Sequence, residues 1–306
     1  MTSSLILDHD GGVDDYLSLL LALTFEEHRL EGVVVTPADC YIEPAVGASR
    51  KIIDLAGRSE IPVAESTVRG LNPFPRENRR DSFSVDIFPI LNESGVVRAP
   101  FVEEPGQTWL ARTIAAAPEP VTLLVTGPLT TVAAALELEP SMERNIRELA
   151  WMGGALRVPG NVSPWLEGGQ DGSSEWNVYW DPPAAARVFE SSIPIVMCPL
   201  DITNRVEMTR EFLLTLARNR RHPFSDLAGQ CYSLVAHQTY YFWDVLTTAY
   251  VERPDLYRIE HEGVRVEPTG FSQGRTVPDP TDREVGVFAD VDLEGFYSYV
   301  LSSWER

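Results

Sequence analysis

Apolar and polar positions along this chain alternate between two periods. Short apolar runs bounded by turn residues read as buried strands: Leu5 to Leu7, Glu31 to Thr36 (EGVVVT), Ile61 to Ala64, Val121 to Thr126 (VTLLVT), Leu149 to Met152 and Ile193 to Cys198. Between them lie stretches of helical character, at Tyr16 to Leu23, Ala45 to Leu55, the alanine-rich Val132 to Leu138, and Asp181 to Phe189 with prolines in its first turn. From Arg210 to about Tyr250 the pattern is largely helical. Short β-like runs follow Tyr257, and a last helix falls near Leu293 to Ser302. Strands alternating with helices predict an α/β fold, an open, mostly parallel, Rossmann-like sheet with helices on both faces. Regularity lapses over residues 69–106, where GLNPFPRENRRDSF gathers prolines, arginines and polar residues. Segments this long without periodicity are often lids or binding loops.

Composition narrows the picture. At 306 residues and 44% apolar content the chain can bury a large core. No repeat, long linker or composition shift divides it, so one domain over 1–306 is expected, with lid segments near 69–106 and 164–174. A net charge of −20 argues against nucleic acid or an anionic membrane as partner. The start, MTSSLILDHD, lacks the charged and apolar regions of a secretory signal, and no apolar run approaches the roughly 20 residues needed to span a bilayer. Cys40, Cys198 and Cys231 are odd in number and widely spaced, which fits reduced thiols in a core. A cytoplasmic protein is the expectation. Lys51 is the only lysine, so any mechanism that needs one must use it.

The chemistry concentrates at the start. In LILDHDGGVDDYLSLLLAL, Asp8, Asp10, Asp14 and Asp15 fall where a first strand ends, Gly11 and Gly12 turn the chain, and a helix begins. Open α/β sheets bind ligands in the crevice beyond their strand ends. Close carboxylates repel by about 1 kcal/mol per pair in water, and by more when desolvated. A hard, oxygen-seeking divalent cation relieves that repulsion. Helix capping accounts for Asp14 and Asp15 at most; Asp8 and Asp10, two apart and on one side of a continued strand, have no such structural reason.

The opening run, then VTGPLT, MGGALRVPGNV and WDVLTTAY, occur in the order and spacing of the inosine–uridine nucleoside hydrolases, and the chain resembles that family over nearly its whole length. The resemblance implies the nucleoside hydrolase fold and cleavage of ribonucleosides to free base and ribose, as in nucleoside salvage. It implies a calcium ion held by Asp10, Asp15, the backbone carbonyl of Thr126 and Asp244, with Asp10 as general base for a metal-bound water. Asp14, Asn161, Glu175, Asn177 and Asp244 would contact the ribose hydroxyls, with Met152 against the sugar and Trp176 among the substrate contacts. Members of the family are homodimers or homotetramers.

Four departures bear on the substrate. The family's usual histidine before the late metal aspartate is Trp243, which can activate a leaving base by stacking on it, or simply pack beside the site. If HQTYYFWD is one continuous helix, His237 and Tyr240 share a face with Asp244, and His237 can supply a proton at neutral pH. The usual Gly-Asn after the second strand is Ala38-Asp39, and Asp39 accepts hydrogen bonds from a sugar but donates none. Asn161 and Glu175 stand some eight residues further apart than is typical, with glycine-rich LEGGQDGSS between them where the 5′ end of the sugar belongs. Arg76, Arg79 and Arg80 replace a histidine-containing lid motif, as a solvated basic patch or a site for an anionic base.

Two other readings remain in play. A haloacid-dehalogenase-type phosphatase also opens on a strand and DxD, but it needs a lysine later than Lys51 and Thr or Val where Gly12 stands. A ribose- or nucleoside-binding protein that keeps the calcium site but has lost leaving-group activation rests on Trp243 alone.

Overall fold

The computed structural model describes residues 2–164 and 170–306. Its strands are β1 (Ser3–His9), β2 (His28–Val35), β3 (Val63–Glu65), β4 (Phe101–Val102), β5 (Val121–Val125), β6 (Ile146–Met152), β7 (Ile195–Cys198), β8 (Tyr257–Val266), β9 (Thr276–Pro278) and β10 (Glu284–Val291). They form one ten-stranded sheet in the order β4-β3-β2-β1-β5-β6-β7-β10-β8-β9. From β4 to β10 every neighbouring pair is parallel, and only β10–β8 and β8–β9 run antiparallel. The α/β class, with its mostly parallel sheet, is therefore as the hydrophobic pattern predicts.

The sheet is buried on both faces, which is why its central strands read as continuous apolar runs rather than alternating ones. Leu5, Leu7 and Leu124 point to one side, against helix α1 (Val13–Ala22), helix α2 (Ile42–Leu55) and the C-terminal helices. Ile6, Leu123 and Val125 point to the other, against the helices Gly106–Ala115, Thr130–Leu138 and Pro182–Phe189. Leu5, Ile6 and Leu7 are fully enclosed, each contributing about 1.5–3 kcal/mol by leaving water. Strand β1 pairs with β2 on one edge and β5 on the other. The chain thus reverses its direction of winding at β1, and the crevice this opens lies at the strands' carboxyl ends.

Two expectations change. The segment after Tyr257 holds a ten-residue strand, β8, rather than only short runs and turns. The stretch from Arg210 to Tyr250 is three helices, Arg210–Arg218, Pro223–Val235 and Asp244–Glu252. Between the last two the backbone is pulled across to residues 206–208, with Met208 N–H bonded to the Tyr240 carbonyl (2.8 Å) and Phe242 N–H to that of Val206 (2.9 Å). Those long-range bonds satisfy groups that a continuous helix would have used itself. The irregular segment 69–106 contains the short helices Arg76–Arg79, Asp81–Asp86 and Pro89–Asn92 before β4.

Candidate active site

The site is assembled where β1, β5 and β6 end. Past β1 the chain turns at Gly11, whose φ of +79° suits glycine and where a Cβ would lie 2.7 Å from that of Cys40. Gly12 N–H then donates to Asp15 Oδ2 (2.8 Å), fixing the acidic first turn of α1. The other oxygen of Asp15 accepts the Thr126 hydroxyl (2.5 Å), and Thr126 N–H bonds to the Asp8 carbonyl (3.0 Å), tying the ends of β1 and β5 together. A Cβ on Gly127 would stand 2.8 Å from that of Asp10, so the bare backbone there lets Asp10 occupy its place. Trp151 Nε1, beneath, holds the Gly127 carbonyl at 3.1 Å.

The facing wall comes from Asn161, Glu175, Trp176, Asn177 and the helix that starts at Asp244. Asn177 donates through Nδ2 to the carbonyls of Thr126 and Met152, both at 3.0 Å. Glu175 caps helix Trp176–Trp180 and also accepts Gly154 N–H (2.9 Å). Asn161 Oδ1 accepts Trp176 N–H (3.0 Å), while the Trp176 ring stacks on Phe74 with centroids 5.1 Å apart. Asp14 lies behind this wall. Its Oδ2 accepts the N–H of Asp244 (2.7 Å) and Val245 (3.1 Å), and its Oδ1 accepts the Tyr232 hydroxyl (3.0 Å).

These walls enclose a cavity of about 280 Å³ lined, among the described residues, by six carboxyl groups, Asp10, Asp15, Asp39, Asp81, Glu175 and Asp244, and by no lysine, arginine or histidine. Burial, then the negative charge of Asp15, drives the carboxyls of Asp10, Asp39 and Asp244 well above the ordinary carboxylate range. Burial likewise carries Glu175 to about 7. Arg79 opposes the rise at Asp39, and Arg80 and His237 oppose it at Asp81, from outside the lining; the donor set, all hard oxygen and still in excess of negative charge, fits a divalent cation, whose charge would draw those carboxyls back into their ionised form. As they stand, no three His, Cys, Asp or Glu side chains among the described residues are arranged to enclose a metal. Asp15 is spent on Gly12 and Thr126, and Asp39 N–H bonds to Asp10 Oδ2 (3.2 Å). A small rotation of a carboxylate changes such a distance but not the excess of negative charge.

The cavity gathers Asp10, Asp15, Asp39, Thr126, Met152, Asn161, Glu175, Trp176, Asn177, Trp243 and Asp244, from segments scattered over the whole chain. It does not gather Asp14 or His237. Asp14 is buried behind the lining with both oxygens engaged. His237 follows the end of helix Pro223–Val235 and is exposed, its Nδ1 3.1 Å from the Leu234 carbonyl, so the helical arithmetic that joined it to Asp244 fails. Trp243 does line the cavity, with the Tyr240 ring edge-on at 4.6 Å and its own buried Nε1 without a hydrogen-bond partner among the described residues.

The remaining features fall outside the cavity. Arg79 donates to the Cys40 carbonyl (3.1 Å) and lies over the Tyr41 ring, fastening helix Arg76–Arg79 to the chain after β2. Lys51 is held by Asp86 (2.8 Å), so it offers no phosphoryl clamp. Of the glycine-rich insertion, residues 165–169 lie outside the described residues; its end is tied down by bonds from Asp171 N–H to the Phe271 carbonyl (3.0 Å) and from Gly160 N–H to the Gly172 carbonyl (2.9 Å). Asn78, Asp81 and Gln238 also line the cavity. Nothing in their local sequence marks them, beyond the first two falling in the irregular segment 69–106.

A parallel sheet with an acidic, substrate-sized cavity at its switch point defines an α/β enzyme acting on a small polar molecule. The chain belongs to the inosine-uridine preferring nucleoside hydrolase family, whose model matches residues 5–298. It is therefore a hydrolase of the N-glycosidase type. The crystal structure of an inosine-uridine preferring nucleoside hydrolase from Bacillus anthracis superposes with a TM-score of 0.95 at 44% identity, covering 99% of both chains. A plant nucleoside hydrolase, PpNRh1, superposes at 0.86 with 25% identity over the whole of both chains. In sequence, the non-specific ribonucleoside hydrolase RihC of Escherichia coli (strain SE11) is 31% identical over 98% of this chain and 97% of its own. Among the described residues no helix is long and apolar enough to cross a membrane.

Proposed function

We propose that this enzyme is a calcium-dependent ribonucleoside hydrolase in which Asp10 is the general base. The observation that carries the reading is the convergence of Asp10, Asp15, Asp244 and the Thr126 segment on one cavity that, among the described residues, no positive side chain lines. Asp10, Asp15, Asp244 and the Thr126 carbonyl would hold the ion. When bound, the ion supplies a lowered pKa for water and a grip on vicinal hydroxyls.

The rest follows from the chain's own groups. Cleavage passes through an oxocarbenium-like state, so the sugar must be held while a water loses its proton on one face. Asp10, anchored by Asp39 N–H, takes that proton. Asn161, Glu175 and Asn177 orient the ribose; their bonds to Trp176, Gly154, Thr126 and Met152 fix them before substrate arrives, so part of the entropic barrier is met by binding. Asp14 supports this set, holding the N-terminus of the helix that presents Asp244. Trp243, beside Tyr240, forms the aromatic surface on which a leaving base stacks. The free, buried cysteines support a reducing, cytoplasmic setting, and the continuous sheet supports a single domain.

Asp10→Ala is the test. Turnover of ribonucleosides falls by about 10²–10⁴-fold or more, and calcium affinity measured by calorimetry falls with it. Retained turnover would remove Asp10 from the base role; binding of nucleosides by the parent protein without any turnover would favour the ribose-binding alternative.

A further inference from the structure

The polar side chains that line the cavity differ in how far the protein already engages them. Those of Asp15, Asn161, Glu175 and Asn177 are held by its own hydrogen bonds. Asp81 and Asn78, from the irregular segment 69–106, line the same cavity as Gln238. Among the described residues these three side chains have no hydrogen bond or ion pair of their own. Arg80 and His237 act on Asp81 only through space. A half-buried carboxylate that accepts and never donates, set in an already acidic cavity, is costly until something supplies it with N–H or O–H donors.

We propose that Asp81 reads the base, selecting nucleosides whose six-membered ring presents a ring N–H beside an exocyclic amine, the 2-amino-6-oxopurine edge of guanosine. This rests on the hydrolase reading above, because it assigns the uncommitted side chains of the lining to the leaving group. Two adjacent donors match the two coplanar oxygens of one carboxylate, the geometry that gives bidentate pairs their discrimination. Hypoxanthine offers one of the two donors. Adenine and cytosine pair their amine with a bare ring nitrogen, and uracil flanks its N–H with carbonyls that would face a negative charge. The amides of Asn78 and Gln238 can donate to the 6-oxo group.

The experiment compares kcat/KM for guanosine and inosine in the parent enzyme and in Asp81→Ala and Asp81→Asn, with p-nitrophenyl riboside on the parent as an activated substrate. The ratio within each protein is independent of how much of it is folded. The expected result is a guanosine preference of about 10- to 100-fold in the parent that collapses toward unity in both variants. A parent that cleaves both nucleosides without preference, or variants that keep the preference, would overturn the assignment of Asp81 and leave the hydrolase reading standing. No cleavage of either nucleoside or of the activated riboside would overturn both.

Discussion

Glu175→Gln probes the protonation of the wall that faces the acidic cluster. Glu175 is buried, and its carboxylate accepts N–H groups from Gly154 (2.9 Å), Asn177 (2.9 Å) and Val178 (3.4 Å). Burial outweighs those bonds and lifts its pKa from 4.5 to about 7. An acid whose folded pKa lies above its unfolded one stabilises the fold fully below the unfolded value, and that contribution is lost as pH rises through the folded value. The window runs from pH 4.5 to about 7, and at 1.36 kcal/mol per unit the loss across it is about 3 kcal/mol.

Glutamine cannot ionise, so the variant lacks this fall. It carries a different penalty, because its amine faces a backbone N–H that the carboxylate served, stranding a buried donor at about 1–3 kcal/mol. The variant is therefore the less stable protein at pH 4.5 and draws level as pH approaches and passes 7. Urea unfolding of both proteins in metal-free buffer, in half-unit steps from about pH 4.5 to 8.5, reads the difference directly. Subtraction cancels the slopes of Asp8 and Asp14, which burial raises to about 8 and about 7 and which act in the same direction. A difference that stays constant with pH would refute the reasoning, since Glu175 would then hold one protonation state throughout.

Three further outcomes are expected. Trp243→Ala lowers turnover of natural nucleosides more than that of p-nitrophenyl riboside, whose leaving group needs no activation; equal losses would take Trp243 out of the leaving-group role. Tyr232→Phe removes a buried donor to Asp14 and costs about 1–3 kcal/mol in urea unfolding, with a weaker calcium affinity by calorimetry because Asp14 holds the helix that presents Asp244; lost stability with unchanged affinity would confine Asp14 to capping. Calcium added to chelator-treated enzyme at about 100 times its Kd stabilises the fold by about 2.7 kcal/mol and restores turnover, and a thermal midpoint indifferent to calcium would argue against the ion.

The amino-acid sequence by itself determined the α/β class, the strand–turn–helix opening and the acidic cluster within it. These are local: continuous apolar runs mark strands buried on both faces, glycines mark the turn, and Asp8 to Asp15 are neighbours in sequence before they are neighbours in space. Thr126, Asn161, Glu175, Asn177 and Asp244 were legible only through the motifs that carry the family resemblance, since each lies far along the chain from Asp10. Only the folded chain shows that Asp14 holds the N-terminus of a helix 230 residues later. It also shows that the backbone around Tyr240 pairs with residues 206–208, which breaks the expected helix and leaves His237 in solvent. The same holds for Asn78, Asp81 and Gln238, which come together from two distant, irregular segments. Periodicity reports which face of an element is buried, whereas which polar group is left without a partner depends on contacts between elements that no local pattern encodes.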